Sequence, residues 1–223
     1  MTVILVLMTI AIFLTIDYVR SRKRIPQSEA QQIKATPAIT RTQAPYVSGF
    51  HLPQYVQYHP GHTWALRESP TLVRVGIDDF AARLIGNMES VLLPKRGQWI
   101  RQGQKVFTML KDGRRAELVS PIEGEITDVN QAVLKDARLL NNDPYGEGWL
   151  LTVMSPDAQT NFRNLLSDTF ARQWMTETAN RLRAVLSPAA CALAQDGGIA
   201  MRDLSTEIPA DKWNELTREF FLT

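Results

Sequence analysis

The chain has 223 residues, 44% hydrophobic and 22% charged, with a formal net charge of +2 and a single cysteine, Cys191. That size suits one globular core with extensions, and a lone cysteine excludes an internal disulfide and a cysteine-rich zinc site while fitting a reducing compartment. A nucleic-acid binder is excluded as well: Arg20, Arg22, Lys23 and Arg24 less Asp17 account for +3, so residues 25–223 carry about −1 and have no charge for a basic face.

Val3 to Ile16 is apolar apart from Thr9 and Thr15, and the run extends from Met1 to Val19. As a helix, 19 residues reach roughly 28 Å, enough to cross a bilayer core. Tyr18 suits the interface, and the basic cluster follows at once with no cation ahead of the run. The positive-inside rule then predicts a single-pass anchor in the cytoplasmic membrane, N-terminus out and C-terminal part cytoplasmic. A cleaved signal peptide would need a charged leading region and a small-residue cleavage site, and a buried core helix would need a polar face. The expected layout is an anchor with its basic flank at 1–24, a linker at 25–49, a β domain at 50–156 and a helical extension at 157–223. The linker assignment rests on the Gln, Thr, Ala and Pro richness of 25–45.

Within the β domain, Leu72–Val75, Ser90–Leu93, Lys105–Thr108 and Leu150–Val153 read as strands. Turn signals separate them at 94–97, 102–103, 112–113, 121–124 and 143–148. Ile77 to Ile85 suits a short helix with Asp78 or Asp79 near its start. Many short strands with close turns imply a small sandwich or barrel. After Pro156, Phe162, Leu166, Phe170, Trp174, Leu182 and Leu186 fall on one helical stripe, stopped by Ser187-Pro188. Pro209 to Phe220 predicts a last helix, and its apolar end predicts that it is docked.

Five of these segments resemble the H-protein of the glycine cleavage system. They are Tyr58 to Trp64 with its His62-Thr63-Trp64, Val75 to Ala81, Leu93-Pro94 through Gly97 and Gly103, Ser120 to Ile126, and Asn141 to Leu150. Their order and spacing agree over about residues 56–156. The resemblance implies a mainly β, lipoyl-type barrel-sandwich hybrid, here with an N-terminal transmembrane helix and C-terminal helices. It also implies a lipoate-bearing lysine on a hairpin, a carrier and not a catalyst, working between a decarboxylase and a transferase.

The family's lysine lies seven residues before the serine of Ser120-Pro121, and that position holds Gly113. The tip reads Lys111, Asp112, Gly113, Arg114, Arg115, and Asp-Gly is a strong signal for a tight type I′ hairpin. Lys111 sits two residues early. The expectation from this offset is a chain with no cofactor: a membrane-tethered, non-catalytic accessory or scaffold subunit that binds other subunits of a membrane complex. The alternative is a lipoyl carrier using Lys111. The basic tip reads either as a docking point for an acidic partner or as a solvated turn. Phe162, Leu166, Phe170 and Trp174 are candidates for binding a partner, with burial on the β domain as the plainer reading, and Phe170 and Trp174 are expected to be buried in either case. His51, His59 and His62 are weak candidates for a metal or haem, with no cysteine or carboxylate cluster beside them. No phosphate-binding loop or nucleophile elbow is present, so nothing points to an enzyme.

Overall fold

A computed structural model of the chain describes residues 46–186 and 200–223. The apolar run 1–19, its basic flank, residues 25–45, Ser187-Pro188 and the glycines at 197–198 lie outside the described residues. No described helix is long and apolar enough to cross a membrane.

The described part is mainly β with helices. Strands β1 (Tyr46–Val47) and β2 (Phe50–His51) form a short hairpin. A six-stranded antiparallel sheet runs in the order β3 (Gln57–His59), β4 (Thr63–Arg67), β5 (Leu72–Ile77), β11 (Leu151–Met154), β10 (Gly124–Val129), β7 (Trp99–Ile100). A second, three-stranded sheet runs β6 (Ser90–Leu92), β8 (Lys105–Lys111), β9 (Arg114–Val119). Alternation decides which residues turn inward: β5 buries Val73, Val75 and Ile77, and β8 buries Phe107, Met109 and Lys111.

The most distinctive sequence motif is a structural staple. The buried indole of Trp64 donates to Ile77 O at 2.8 Å and to Pro144 O at 3.1 Å, joining β4 to the end of β5 and to the 143–148 loop. Asp143 stiffens that loop by accepting from Gly146 N and Glu147 N, each at 3.0 Å. Tyr145 accepts from Asp79 N at 3.1 Å and donates to His51 O at 2.8 Å. Asp79 opens helix α1 (Asp79–Ile85), whose N-cap Asp78 accepts from Ala81 N. Trp149 is only partly buried, and the Arg74 guanidinium lies 5.4 Å from its ring centroid. Two short helices that periodicity does not reveal, α2 (Gln131–Lys135) and α3 (Leu139–Asn142), fill the connection from β10 to the stapled loop.

The predicted continuous helix from Phe162 to Leu186 is broken. Helix α4 (Ala158–Phe162) ends early, because Leu166 leaves helical geometry to exchange backbone hydrogen bonds with Tyr58, at 2.9 and 2.7 Å. Helix α5 (Asp168–Val185) then begins afresh and buries Ala171, Met175, Thr178, Ala179 and Leu182. Phe170 does not pack on the β domain: this residue is 74% exposed in the single chain, since it lies off the buried face of the restarted helix. After a 3-10 turn at Ser205–Glu207, helix α6 (Trp213–Phe221) begins four residues later than Pro209. Its Trp213, Phe220 and Phe221 are buried, so the apolar end is docked as expected.

A Cβ added at Gly76 would lie 2.5–2.9 Å from the Trp64 ring. Gly76→Ala is therefore expected to displace the indole and cost about 1–3 kcal/mol, read as a lower thermal midpoint and altered near-UV circular dichroism.

Candidate functional site

The two strands of the β8–β9 hairpin pair Lys111 with Arg114, leaving a two-residue turn at Asp112-Gly113. Both turn residues have positive φ, 50° and 72°, as a type I′ turn requires. A side chain placed at Gly113 would meet nothing within 4 Å, so the tip itself opens to solvent.

Lys111 lies two positions earlier, in the inward row below Met109, and is 8% exposed. Its ammonium is bonded to Asp203 Oδ2 at 2.5 Å and to Ser205 Oγ at 2.5 Å. Ser205 closes the triangle by donating to Asp203 Oδ1 from its hydroxyl at 2.6 Å and from its backbone N–H at 3.1 Å. Burial acts to raise the Asp203 carboxyl, but hydrogen bonds from Lys111, Ser205 and Asn87 N outweigh it and hold the group below its ordinary value. Gly86, at φ 77°, leaves the room that Asp203 occupies; a Cβ there would run into the carboxylate.

The remaining tip cations are also engaged. Arg114 donates to Ser205 O at 3.4 Å and lies 5.4 Å from the Trp213 ring centroid, while the Trp213 indole donates to Arg115 O at 3.1 Å. Arg115 pairs with Glu117 at 2.6 Å. The basic tip is thus neither a free docking point nor a solvated turn where Lys111 and Arg114 are concerned. Asp112, Gly113 and Arg115 are what the tip leaves exposed.

The three histidines do not converge. His62 Nδ1 and Asp78 Oδ2 lie 2.8 Å apart, and the ring is stacked between Phe80 and Trp174 with centroids at 4.1 and 4.6 Å. His59 Nδ1 accepts from Gly61 N, and burial pushes its pKa down to about 4, with His62 adding in the same direction. His51 packs edge-on against Tyr145 and is likewise lowered by burial. Among the described residues no group of three His, Cys, Asp or Glu side chains is placed to hold a metal. Of the partner-binding candidates, Phe162 lies under the Arg67 guanidinium at 4.5 Å, Leu166 pairs with Tyr58, and Trp174 packs on His62. Only Phe170 of the four is left open.

Asp203 and Ser205 escaped the sequence reading. The local Asp-x-Ser pattern signals a turn, and nothing in it links the turn to a lysine 92 residues earlier.

The family model described as "Glycine cleavage H-protein" matches residues 56–178. A probable glycine cleavage system H protein 2 of Sulfurisphaera tokodaii is 34% identical over 137 residues, which is 60% of this chain and 92% of the relative. The glycine cleavage system H protein of Legionella pneumophila is 39% identical over 118 residues, 53% of this chain and 90% of the relative. The crystal structure of a Mycobacterium marinum glycine cleavage system H protein superposes with a TM-score of 0.49 at 26% identity, covering 57% of this chain and 98% of that one. The family model and the curated relatives correct the expectation of a chain with no cofactor, because the family they point to is the lipoate-carrying one. The residues present do not fit that group in the arrangement described: the tip position has no side chain, and the Lys111 amine is held by Asp203 and Ser205.

Two outcomes follow from these contacts. Between pH 6.5 and about 4 the unfolded chain protonates at His59 while the folded chain resists, so stability falls with pH across that window. His59→Asn keeps an acceptor for Gly61 N and should flatten that part of a stability-versus-pH curve. Trp174→Ala, which strips one face of the buried His62 stack, should cost about 2–4 kcal/mol, whereas Phe170→Ala should stay within about 0.5 kcal/mol of the parent in urea unfolding.

Proposed function

The chain belongs to the glycine cleavage H-protein family, and on that premise we propose that it is a non-catalytic carrier subunit whose attachment residue is Lys111. A carrier needs no nucleophile and no acid–base pair; it needs one amine on a hairpin and a rigid body that partner proteins recognise. The observation that carries the reading is the family match over 56–178, which runs through the whole hairpin and Lys111. The partners in this reading are the other protein subunits of a glycine-cleavage-type system.

A specific observation favours a second reading, a scaffold or accessory subunit. Gly113 stands at the turn where the family places its lysine, and the Lys111 ammonium is already bonded within the chain.

Both readings include a membrane tether, with an anchor at 1–24, a linker at 25–49, a β domain at 50–156 and a helical extension at 157–223. What supports it is the apolar run Met1 to Val19 followed by Arg20, Arg22, Lys23 and Arg24. A tether of this kind raises the effective concentration of the domain near membrane-bound partners. It places the N-terminus outside and residues 25–223 at the cytoplasmic face.

Digestion and mass spectrometry of the protein from its native host separate the two readings. A Lys111 peptide carrying a lipoyl amide in a large fraction of molecules supports the carrier; Lys111 found only unmodified supports the scaffold. For the tether, protease added outside intact spheroplasts is expected to leave the β domain whole, and trimming of that domain would overturn the orientation.

A further inference from the structure

Residues 200–223 lie outside the stretch that matches the family, yet they contact the hairpin near its tip. Ser205 O accepts from Arg114 and the Trp213 indole caps Arg115 O, while Leu204 N holds the segment to helix α1 by donating to Arg83 O at 2.8 Å. Two polar side chains of this segment, Asp203 and Ser205, converge on one atom, the Lys111 Nζ. An ammonium taken out of water needs an anion and further hydrogen-bonding oxygens to replace its hydration, and these two residues supply them.

The enclosure is shallow. The Lys111 side chain is 10% exposed and that of Asp203 is 20% exposed, so water lies close on the Asp203 side. The segment that closes it is a 3-10 turn of three residues, Ser205–Glu207, whose backbone geometry contributes little stability of its own. Helix α6 beyond it is anchored separately by Trp213, Phe220 and Phe221. The segment buries one large apolar side chain of its own, Leu204, with Ile208 just beyond it, and short segments with so few buried apolar contacts open locally at a fraction of the global unfolding free energy. Lifting 202–207 would therefore free the amine without opening the sheets.

We propose that Asp203 and Ser205 form a latch on Lys111. Closed, it withholds the amine from acylation; open, it presents the amine beside the Asp112-Gly113 turn. The proposal deepens the carrier reading and rests on it for its purpose, while the latch itself is measurable without any lipoyl group. Asp203 and Ser205 are positioning residues in this account, acting through Lys111.

The test is competitive acetylation of the folded, full-length chain with an N-hydroxysuccinimide ester. Each event forms an Nζ–carbonyl amide, breaks the ester C–O bond, and releases N-hydroxysuccinimide and a proton. Exposed Lys95, Lys105 and Lys135 serve as internal references. Lys111 is expected to react slower than these by about tenfold or more, and Asp203→Asn with Ser205→Ala is expected to bring it to within about threefold of Lys105. Lys111 reacting at the reference rate in the parent chain, or staying slow in a folded double variant, overturns the latch. Should the double variant not fold, the parent chain in sub-denaturing urea decides. A latch exposes Lys111 with a smaller urea dependence than global unfolding; exposure only with global unfolding makes Lys111 a structural lysine and ends the proposal. Incubation with a lipoate–protein ligase, lipoate and ATP then separates the two claims. Faster labelling by the ester without lipoylation keeps the latch and removes the carrier reading. Equal lipoylation of parent and double variant keeps the carrier reading and removes the latch.

Discussion

Strand β8 alternates, and its inward row ends in a lysine. Phe107 and Met109 point into the core, and Lys111 must follow them because successive residues of a strand take opposite faces. A lysine at 113 would have stood at the open tip; a lysine two positions earlier shares its face but lies on the paired part of the hairpin, where neighbours close over it. A buried ammonium without an anion would be costly, so the chain has to bring a carboxylate there. Asp203 meets that demand, and the course of the C-terminal segment over the hairpin, the space left by Gly86 and the contact of Arg114 with Trp213 fit around that meeting.

The rest of the body is held by contacts of a different kind. Trp64 joins β4, the end of β5 and the 143–148 loop through one indole N–H, and Tyr145 ties the same loop to α1 and β2 through one hydroxyl. The loop most characteristic of the family thereby acts on the fold and leaves the hairpin face alone. His62 has a comparable part. Its ring, bonded to Asp78 and stacked between Phe80 and Trp174, couples α5 to the start of α1. None of these hydrogen bonds or ring stacks involves residues 111–114.

Local chemistry made the Asp112-Gly113 turn, the Asp78 cap and most strands legible, since each depends on residues a few positions apart. The break between α4 and α5 was not legible. Phe162, Leu166, Phe170 and Trp174 keep helical spacing, and only the pairing of Leu166 with Tyr58, more than a hundred residues away in sequence, interrupts it. Phe170 was read as buried for the same reason, while the buried face of α5 runs through Ala171, Met175, Thr178, Ala179 and Leu182, of which only Leu182 lies on the stripe of large apolar side chains. The environment of Lys111 was least legible of all. Counting back from Ser120 located the offset, but burial of the amine depends on Asp203, and no periodicity connects two charges at that separation.

That separation also sets an order in time. The 92 residues between Lys111 and Asp203 take roughly 5–20 s to synthesise at about 5–20 residues per second. Throughout that interval a nascent hairpin carries its amine with no partner yet made. The chain thus passes through a stage, once per molecule, in which the Lys111 amine lacks both Asp203 and Ser205, and it leaves that stage only when those two residues arrive.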